Sequence, residues 1–279
     1  MSETPRGSAE TRPTSPWFRL GLGLLLTPCA LMIAARTLPQ VQVGLRAADV
    51  IAFGGATLIP ILGLAVAATA EVSFALALAV ALPATAALLV LAFVQPAAST
   101  ALLLVDTALV CLAWAFGTSL GKRVQHASHL FPACVVAASA DLVSLVSPEG
   151  PSHAIAESDR ALSLLAVWFP VPGTHAIAPA LGVGDLVFMA LVFGVARAHR
   201  LPYVRSVLLC ASGTAVAGFA AGWFGVAVPA LVPIAAAVVL GLPAIRQLRR
   251  ADRGVARLAM LLALSVAVAS AARSLLLRH

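Results

Sequence analysis

Long apolar runs separated by short polar turns are the main pattern along this chain. Nine such runs occupy residues 17–36, 48–70, 72–94, 99–119, 128–147, 178–196, 204–222, 227–245 and 255–276. Each is close to the roughly 20 residues that an α-helix needs to cross the hydrocarbon of a bilayer. Stretches such as LAMLLALSVAVA lack the alternation of polar and apolar residues that is typical of membrane β-barrel strands. The pattern predicts an all-α polytopic membrane protein with about nine transmembrane helices.

Composition and charge exclude an ordinary soluble protein. Of the 279 residues, 61% are hydrophobic and 10% are charged, whereas soluble domains carry about 25% charged residues. The formal net charge of +7 comes almost entirely from arginine, since Lys122 is the single lysine. No basic stripe with interleaved aromatic residues occurs, so nucleic-acid binding is not expected. The lipid bilayer is the expected environment, and a prokaryotic cell membrane is the expected location. The preference for arginine over lysine is typical of a GC-rich genome.

Polarity divides the chain into four segments. Residues 1–16 are polar and rich in Ser, Thr and Pro, which predicts a disordered tail. Residues 17–127 contain the first transmembrane helices, beginning with a retained span rather than a cleaved signal peptide. Residues 128–246 contain the motifs discussed below. Residues 247–279 form a basic loop and a C-terminal transmembrane helix.

The connection at 148–177 is longer and more charged than the other loops. Its apolar residues recur at helical spacing, which predicts an amphipathic helix on the membrane surface. These residues are Ile155, Leu162, Leu165, Ala166 and Phe169. A plain surface linker is the alternative interpretation of the same segment.

Three carboxyl groups fall near the middle of predicted spans, at Asp106, Asp141 and Asp185. Inserting such a group into the bilayer costs a few kcal/mol, so each is a candidate for function. Thr107 and small residues surround Asp106, and we expect a buried carboxyl bonded to a backbone or hydroxyl partner. A coupling-ion site is the alternative at that position.

The surroundings of Asp141 and Asp185 favour a close approach of the two carboxyl groups. The helix face of Asp141 carries small residues three, four and seven positions before it and three positions after it, which lets a neighbouring backbone come near. These residues are Cys134, Ala137, Ala138 and Ser144. Gly182 and Gly184 precede Asp185 and allow close helix contact and local unwinding. The two carboxyl groups are therefore predicted to meet across a thin interface.

Two adjacent carboxyl groups cannot both ionise, so they share one proton near neutral pH. That state suits aspartic proteolysis, in which the ionised carboxylate takes a proton from water and the protonated one hydrogen-bonds the scissile carbonyl. Such chemistry requires neither a metal nor an organic cofactor. The cysteines and histidines also lack the spacing of a metal-binding motif.

Three motifs resemble a known family. The segment ADLVSLVSPEGPSHAIAESD at 140–159 resembles the sixth-helix region of presenilin, the catalytic subunit of γ-secretase. Gly182-Val183-Gly184-Asp185 is similar to the GxGD signature of that family, and Pro229-Ala230-Leu231 is similar to its PAL motif. The motifs occur in the family's order. The segment 128–246 is thus similar to the catalytic core of the presenilin and signal peptide peptidase superfamily, as a bacterial-type member.

The resemblance implies a presenilin-like bundle and an intramembrane aspartyl endopeptidase that cleaves transmembrane helices of other proteins. It implies catalytic roles for Asp141 and Asp185. It implies substrate-positioning roles for Gly182, Val183, Gly184, Pro229, Ala230 and Leu231. The family usually has an aromatic residue, commonly Tyr, before the first aspartate, where this chain has Ala140. A requirement for helper subunits, as in γ-secretase, stays open.

Other functions and either membrane orientation remain compatible with the residues. Prepilin peptidases share a GxGD motif but typically place a lysine soon after the aspartate, where this chain has Leu186, Val187 and Phe188. A proton-coupled transporter or a non-catalytic membrane chaperone is the alternative from another class. With nine spans, Lys and Arg concentrate on the side of the N-terminus, which places the 148–177 loop outside the cytoplasm. Presenilin has the opposite orientation, whereas signal peptide peptidases have this one.

Overall fold

A helical bundle with one small β-hairpin forms the protein. The computed structural model describes residues 16–41, 44–70, 73–94, 99–147, 150, 154–155, 157–174, 177–224 and 228–276. The helices are α1 Pro16–Thr37, α2 Leu45–Ala67, α3 Phe74–Val94, α4 Ser99–Arg123, α5 Leu130–Val146, α6 Asp159–Leu165, α7 Val183–Ala198, α8 Tyr203–Phe224, α9 Leu231–Gly241 and α10 Arg253–Leu276. The strands β1 Ala166–Pro170 and β2 Ile177–Gly182 pair in antiparallel orientation. The predicted disordered tail falls outside the described residues, except for Pro16.

Seven helices among the described residues are long and apolar enough to cross a membrane, namely α1 to α5, α8 and α10. The chain is therefore a multi-pass membrane protein. The remaining two predicted spans are also helical but shorter, with 16 residues in α7 and 11 in α9. Residues 177–182 form β2 instead of the first turns of α7, because Pro179 disfavours a helical conformation at Ala178. Helix α9 ends before Pro243, for the same reason.

The predicted amphipathic helix is only partly helical. Helix α6 begins after Ser158, whose side chain accepts a hydrogen bond from the amide of Ala161, and it ends at Leu165. The prediction was wrong for Ala166 and Phe169, which lie in β1. A short apolar run fits helical and strand spacing alike, and here pairing with β2 decides the outcome. Arg160 fixes α6 against the bundle by donating a hydrogen bond to the carbonyl of Ala92 near the end of α3.

Helix α7 lies at the centre of the bundle, with almost every side chain from Leu186 to Ala196 buried. Its longest contact is with α4, where glycines let the two backbones approach. A Cβ atom at Gly121 would lie 2.6 Å from the carbonyl oxygen of Leu191, and one at Gly194 would lie 3.0 Å from Cα of Thr118. Helix α4 lies in segment 17–127 and α7 in segment 128–246, so these two segments pack on each other.

The outer helices present apolar side chains to the surroundings. Helices α3 and α10 bury little of their surface inside the protein, and α10 packs mainly on α5. At one end of the bundle, Nε2 of His129 lies 3.2 Å from Oδ2 of Asp252. This hydrogen bond ties the start of α5 to the loop before α10.

Tyr203 joins α8 to the end of α2 through a hydrogen bond from its hydroxyl group to the carbonyl of Ala65. That carbonyl is among the last four of α2, which lack the usual helical partner, since the amide of Thr69 donates to Val66 instead. Replacing Tyr203 with Phe is expected to lower the free energy of unfolding by about 1 kcal/mol, because a buried carbonyl loses its donor. Titration of the folded fraction with SDS in mixed micelles measures this change. An unchanged midpoint would show that the bond does not stabilise the fold.

Candidate active site

The first of the two predicted catalytic carboxyl groups, Asp141, lies on α5 and faces the start of α9. Its Oδ2 atom accepts a hydrogen bond of 2.9 Å from the amide nitrogen of Leu231. Leu231 is the first residue of α9, where amide groups have no partner within the helix and favour a carboxylate. The PAL segment and the first aspartate are therefore in direct contact.

Asp185 lies in the first turn of α7, immediately after the hairpin. Its Oδ2 atom accepts a hydrogen bond of 3.1 Å from the amide nitrogen of Gly182, the last residue of β2. The carboxyl group thus closes the junction between strand and helix. This bond fixes the Gly182-Val183-Gly184 turn relative to Asp185.

The two carboxyl groups lie within range of each other's charge. Helix α5 contacts α7, and Asp141 lies near enough to Asp185 for a charge on one carboxyl group to affect the other. Both side chains are partly buried. Three predicted motifs that are far apart in sequence, around Asp141, Asp185 and Leu231, therefore meet at one place in the bundle.

The hairpin of β1 and β2 positions Asp185 near Asp141, because Asp185 follows the end of β2 by three residues. Strand β1 pairs with β2 from Ala166 opposite Gly182 to Pro170 opposite Ile177, with a register shift between Val167 and Trp168. Val167 and Leu181 are buried in the main core. The register of the hairpin thereby sets the position of Gly182, and with it the start of α7.

The glycines before Asp185 make no close contact with a neighbouring helix among the described residues. A Cβ atom at Gly182 would lie 3.4 Å from Asp185 Oδ2, an ordinary contact, and one at Gly184 would meet nothing within 4 Å. No described helix packs closely on either glycine, so close helix contact does not explain them. Close approach occurs instead between α4 and α7. The Gly184 side of the turn is open.

Ala140, which occupies the position of the family's aromatic residue, is exposed. It lines an apolar groove between α5 and α10 with a volume of about 600 Å³. Val143 and Ser144 also contribute from α5, and Leu262 and Ala263 from α10. A larger side chain at position 140 would project into this groove.

Asp106 does not join the other two carboxyl groups. It lies on α4, is fully buried, and accepts a hydrogen bond of 2.9 Å at Oδ1 from the amide nitrogen of Trp168 in β1. Its Oδ2 atom has no hydrogen-bond partner among the residues that the structure describes. A backbone partner for this carboxyl group was predicted, and Trp168 provides it.

Sequence reasoning missed two features that position the site. The first is the hairpin, whose short strands resemble helix in their apolar spacing. The second is the α4 surface around Gly117 and Gly121, which packs on α7. The spacing Gly-x-x-x-Gly is a signal for close helix packing in membranes and would have identified this surface.

The presenilin-like segment 140–159 lies partly outside the described residues. Of its residues 148–151, only Gly150 is described, and its amide donates to the carbonyl of Ser147 just after α5. Within the described part of the chain, no group of three His, Cys, Asp or Glu residues could hold a metal ion.

Comparison with known proteins adds no relative. No family model, no curated protein and no solved structure matches this chain. Support for a function therefore comes from the positions of Asp141, Asp185, Gly182 and Leu231.

Proposed function

We propose that this protein is an intramembrane aspartyl endopeptidase that hydrolyses peptide bonds within transmembrane helices of membrane-protein substrates. The observation that carries the proposal is the meeting of Asp141, Asp185 and the first amide of α9. Its proposed fold is a presenilin-like bundle with nine membrane crossings. Seven are the long helices, and the other two are α7 and α9, each lengthened by the extended segments next to it. The resemblance of the three motifs to presenilin supports the same activity, and a prokaryotic cell membrane is its proposed location.

The proposed reaction uses one ionised and one protonated carboxyl group. The ionised carboxylate removes a proton from a water molecule, whose oxygen attacks the scissile carbonyl carbon, while the protonated carboxyl group gives its proton to the carbonyl oxygen. As the C–N bond of the resulting gem-diol breaks, one hydroxyl group returns its proton to that second aspartate, and the first aspartate passes the proton taken from water to the leaving amine. The two aspartates end with one shared proton, ready for another cycle.

An extended substrate is proposed to dock beside the Gly182–Gly184 turn and the PAL segment. A helical amide is shielded by its own hydrogen bonds, so a substrate must unwind locally before hydrolysis. An unwound segment can then pair with strand β2, as extended peptides add to the edges of sheets. The open space at Gly184 allows the approach of another backbone.

Replacing Gly184 with Ala tests this docking site. A Cβ atom meets nothing within 4 Å there, so the variant is expected to fold with an unchanged melting temperature. If a substrate backbone must pass close to Gly184, kcat/KM for cleavage should fall about tenfold or more, as for one lost backbone contact. Cleavage of a fluorogenic single-span substrate in micelles measures the change.

Gly54 provides the matched control, since it also lies in a helix and its Cβ would meet nothing within 4 Å. Gly54→Ala should leave both melting temperature and cleavage unchanged. If Gly184→Ala cleaves as fast as the wild type, the substrate does not approach at this turn.

The proposed activity can also be tested without turnover, by binding of a transition-state analogue. A peptide analogue with a secondary alcohol in place of the scissile amide resembles the gem-diol, and a matched deoxy analogue does not. The alcohol is expected to bind wild-type protein at least about 100-fold more tightly than the deoxy analogue. The reason is that the two aspartates, Asp141 and Asp185, which form the catalytic dyad, are complementary to the transition state. Asp141→Asn should lose that preference. Equal binding of the two compounds would contradict the proposal, and a proton flux in liposomes that Asp141→Asn abolishes would then indicate transport.

A further inference from the structure

The hairpin before the dyad is irregular at one defined place. Val167 lies opposite Leu181, but Trp168 lies opposite Pro179, so Ala180 has no partner across the ladder. Pro179 has no amide hydrogen to donate, which weakens strand pairing at this point. A slip of one residue would turn every side chain of a strand to the other face, so the register has to be held at this point.

Asp106 binds the hairpin at this same place. Its Oδ1 atom accepts the amide hydrogen of Trp168 at 2.9 Å, from a different element of the bundle. The carboxyl group is fully buried, and retaining it within a membrane span costs free energy. Asp106 therefore holds the backbone of β1 at the register shift, and this contact offsets part of the cost of burying the carboxyl group.

Helix α4 also holds the other end of the same segment. Through Gly117 and Gly121 it packs directly against the backbone of α7. Asp185 lies along the chain between the Trp168 contact and the α7 contact. One helix therefore fixes the segment on both sides of the second aspartate.

A second contact secures the hairpin through another helix. A Cβ atom at Gly55 on α2 would lie 2.7 Å from Cε1 of the Phe169 ring, so the ring packs directly on that helix. An aromatic ring on a glycine fixes the distance to α2 but donates no hydrogen bond. Another directional contact, from the amide of Gly173 to the carbonyl of Leu38, lies in the loop of the hairpin. The directional contact at the register shift itself is the one at Asp106.

We propose that Asp106 is a positioning residue, whose Oδ1 atom holds the Trp168 amide and thereby fixes the hairpin register that places Gly182 and Asp185 at the dyad. The catalytic part of this statement rests on the proposed function. The register itself is a property of the fold and can be measured without any substrate.

Disulfide trapping measures the register. The parent is a variant in which alanine replaces the native cysteines, namely Cys29, Cys111, Cys134 and Cys210. Two cysteine pairs are compared in it, Val167→Cys with Leu181→Cys for the observed register and Val167→Cys with Ala180→Cys for a one-residue slip. Paired positions on antiparallel strands lie close enough for a disulfide.

The variants at position 106 show whether the fold needs a hydrogen-bond acceptor at this place or the carboxyl group itself. Asp106→Asn keeps an oxygen that can accept the Trp168 amide, and it should retain both the 167–181 preference and cleavage. Asp106→Leu removes the acceptor, and the ratio of 167–181 to 167–180 trapping should fall about tenfold, with a similar loss in kcat. Asp106→Glu keeps the carboxyl group but moves the oxygen by one methylene group, so it should behave like Asp106→Leu.

Each outcome decides one of the two proposals. An unchanged trapping ratio in both Asp106→Leu and Asp106→Glu would overturn the positioning role. Loss of cleavage in Asp106→Asn with a retained ratio would also overturn it, since the proton of Asp106 would then be required. If Asp106→Leu does not fold, the comparison of Asn with Glu still decides. Failure of the wild-type protein to cleave any substrate would refute the proposed function and leave the trapping result standing.

Discussion

Asp141→Asn and Asp185→Asn are each expected to lower kcat for substrate cleavage by at least about 1,000-fold, the effect of losing an acid or base in the reaction. An amide cannot remove a proton from water, nor can it share a proton with the remaining carboxyl group. The double variant should be no slower than either single variant, because the two groups act as one unit. Initial rates with a fluorogenic single-span substrate measure these effects.

Both variants should fold normally, because an asparagine oxygen can still accept the amide hydrogen of Leu231 or Gly182. Asp252→Asn is a matched control, since Asp252 pairs with His129 at the end of the bundle and takes no part in the dyad. It should cleave at the wild-type rate. Substantial activity in either dyad variant, with a wild-type melting temperature, would exclude the two-aspartate mechanism.

Gly117→Val is expected to have the largest effect on stability. A Cβ atom at this position on α4 would lie 2.5 Å from Cβ of Ala190 and 2.8 Å from the amide nitrogen of Leu191, both on α7. Backbone atoms cannot move aside as a flexible side chain can, so the helices must separate. Overpacking of this kind costs about 1–3 kcal/mol for small additions, and the valine side chain should reach or exceed the upper end. Unfolding in SDS mixed micelles measures the loss.

The conservative change Gly117→Ala should destabilise by a smaller amount in the same direction. Gly21→Ala is the matched control on α1, where a Cβ atom meets nothing within 4 Å. That control should be neutral or slightly stabilising, because alanine favours helix more than glycine does. Equal midpoints for Gly117→Val and Gly21→Ala would show that α4 and α7 are not in close contact.

Hydropathy predicted where the helices lie but not every point where they end. All nine apolar runs contain a helix, because a long apolar segment in a membrane satisfies its backbone groups most simply in that way. The exceptions are local. Residues 177–182 form a strand because Pro179 interrupts the helical pattern and β1 offers a partner. Pairing between distant segments depends on tertiary structure, which spacing within one run does not reveal.

The sequence identified which residues form the candidate site, but it predicted few of the contacts that those residues make. A buried aspartate is costly in a membrane, so Asp141 and Asp185 are conspicuous in the sequence itself. The sequence also favoured their approach, but for a reason that does not hold at Gly184, where the surroundings are open. The sequence did not predict the hydrogen bond between Asp141 and Leu231. It predicted only that the PAL motif, which contains Leu231, positions the substrate. The Trp168 contact of Asp106 depends on the hairpin, which helical spacing concealed.

The most direct test of the proposed activity is the position of the cleaved bond. Purified protein in liposomes is incubated with a substrate that has one transmembrane helix, and the products are mapped by mass spectrometry. We expect cleavage within the membrane-spanning part, and we expect no products with Asp141→Asn or Asp185→Asn. Cleavage confined to the membrane edge would indicate a prepilin-peptidase type of enzyme, and no cleavage of several substrates by folded wild-type protein would contradict proteolysis.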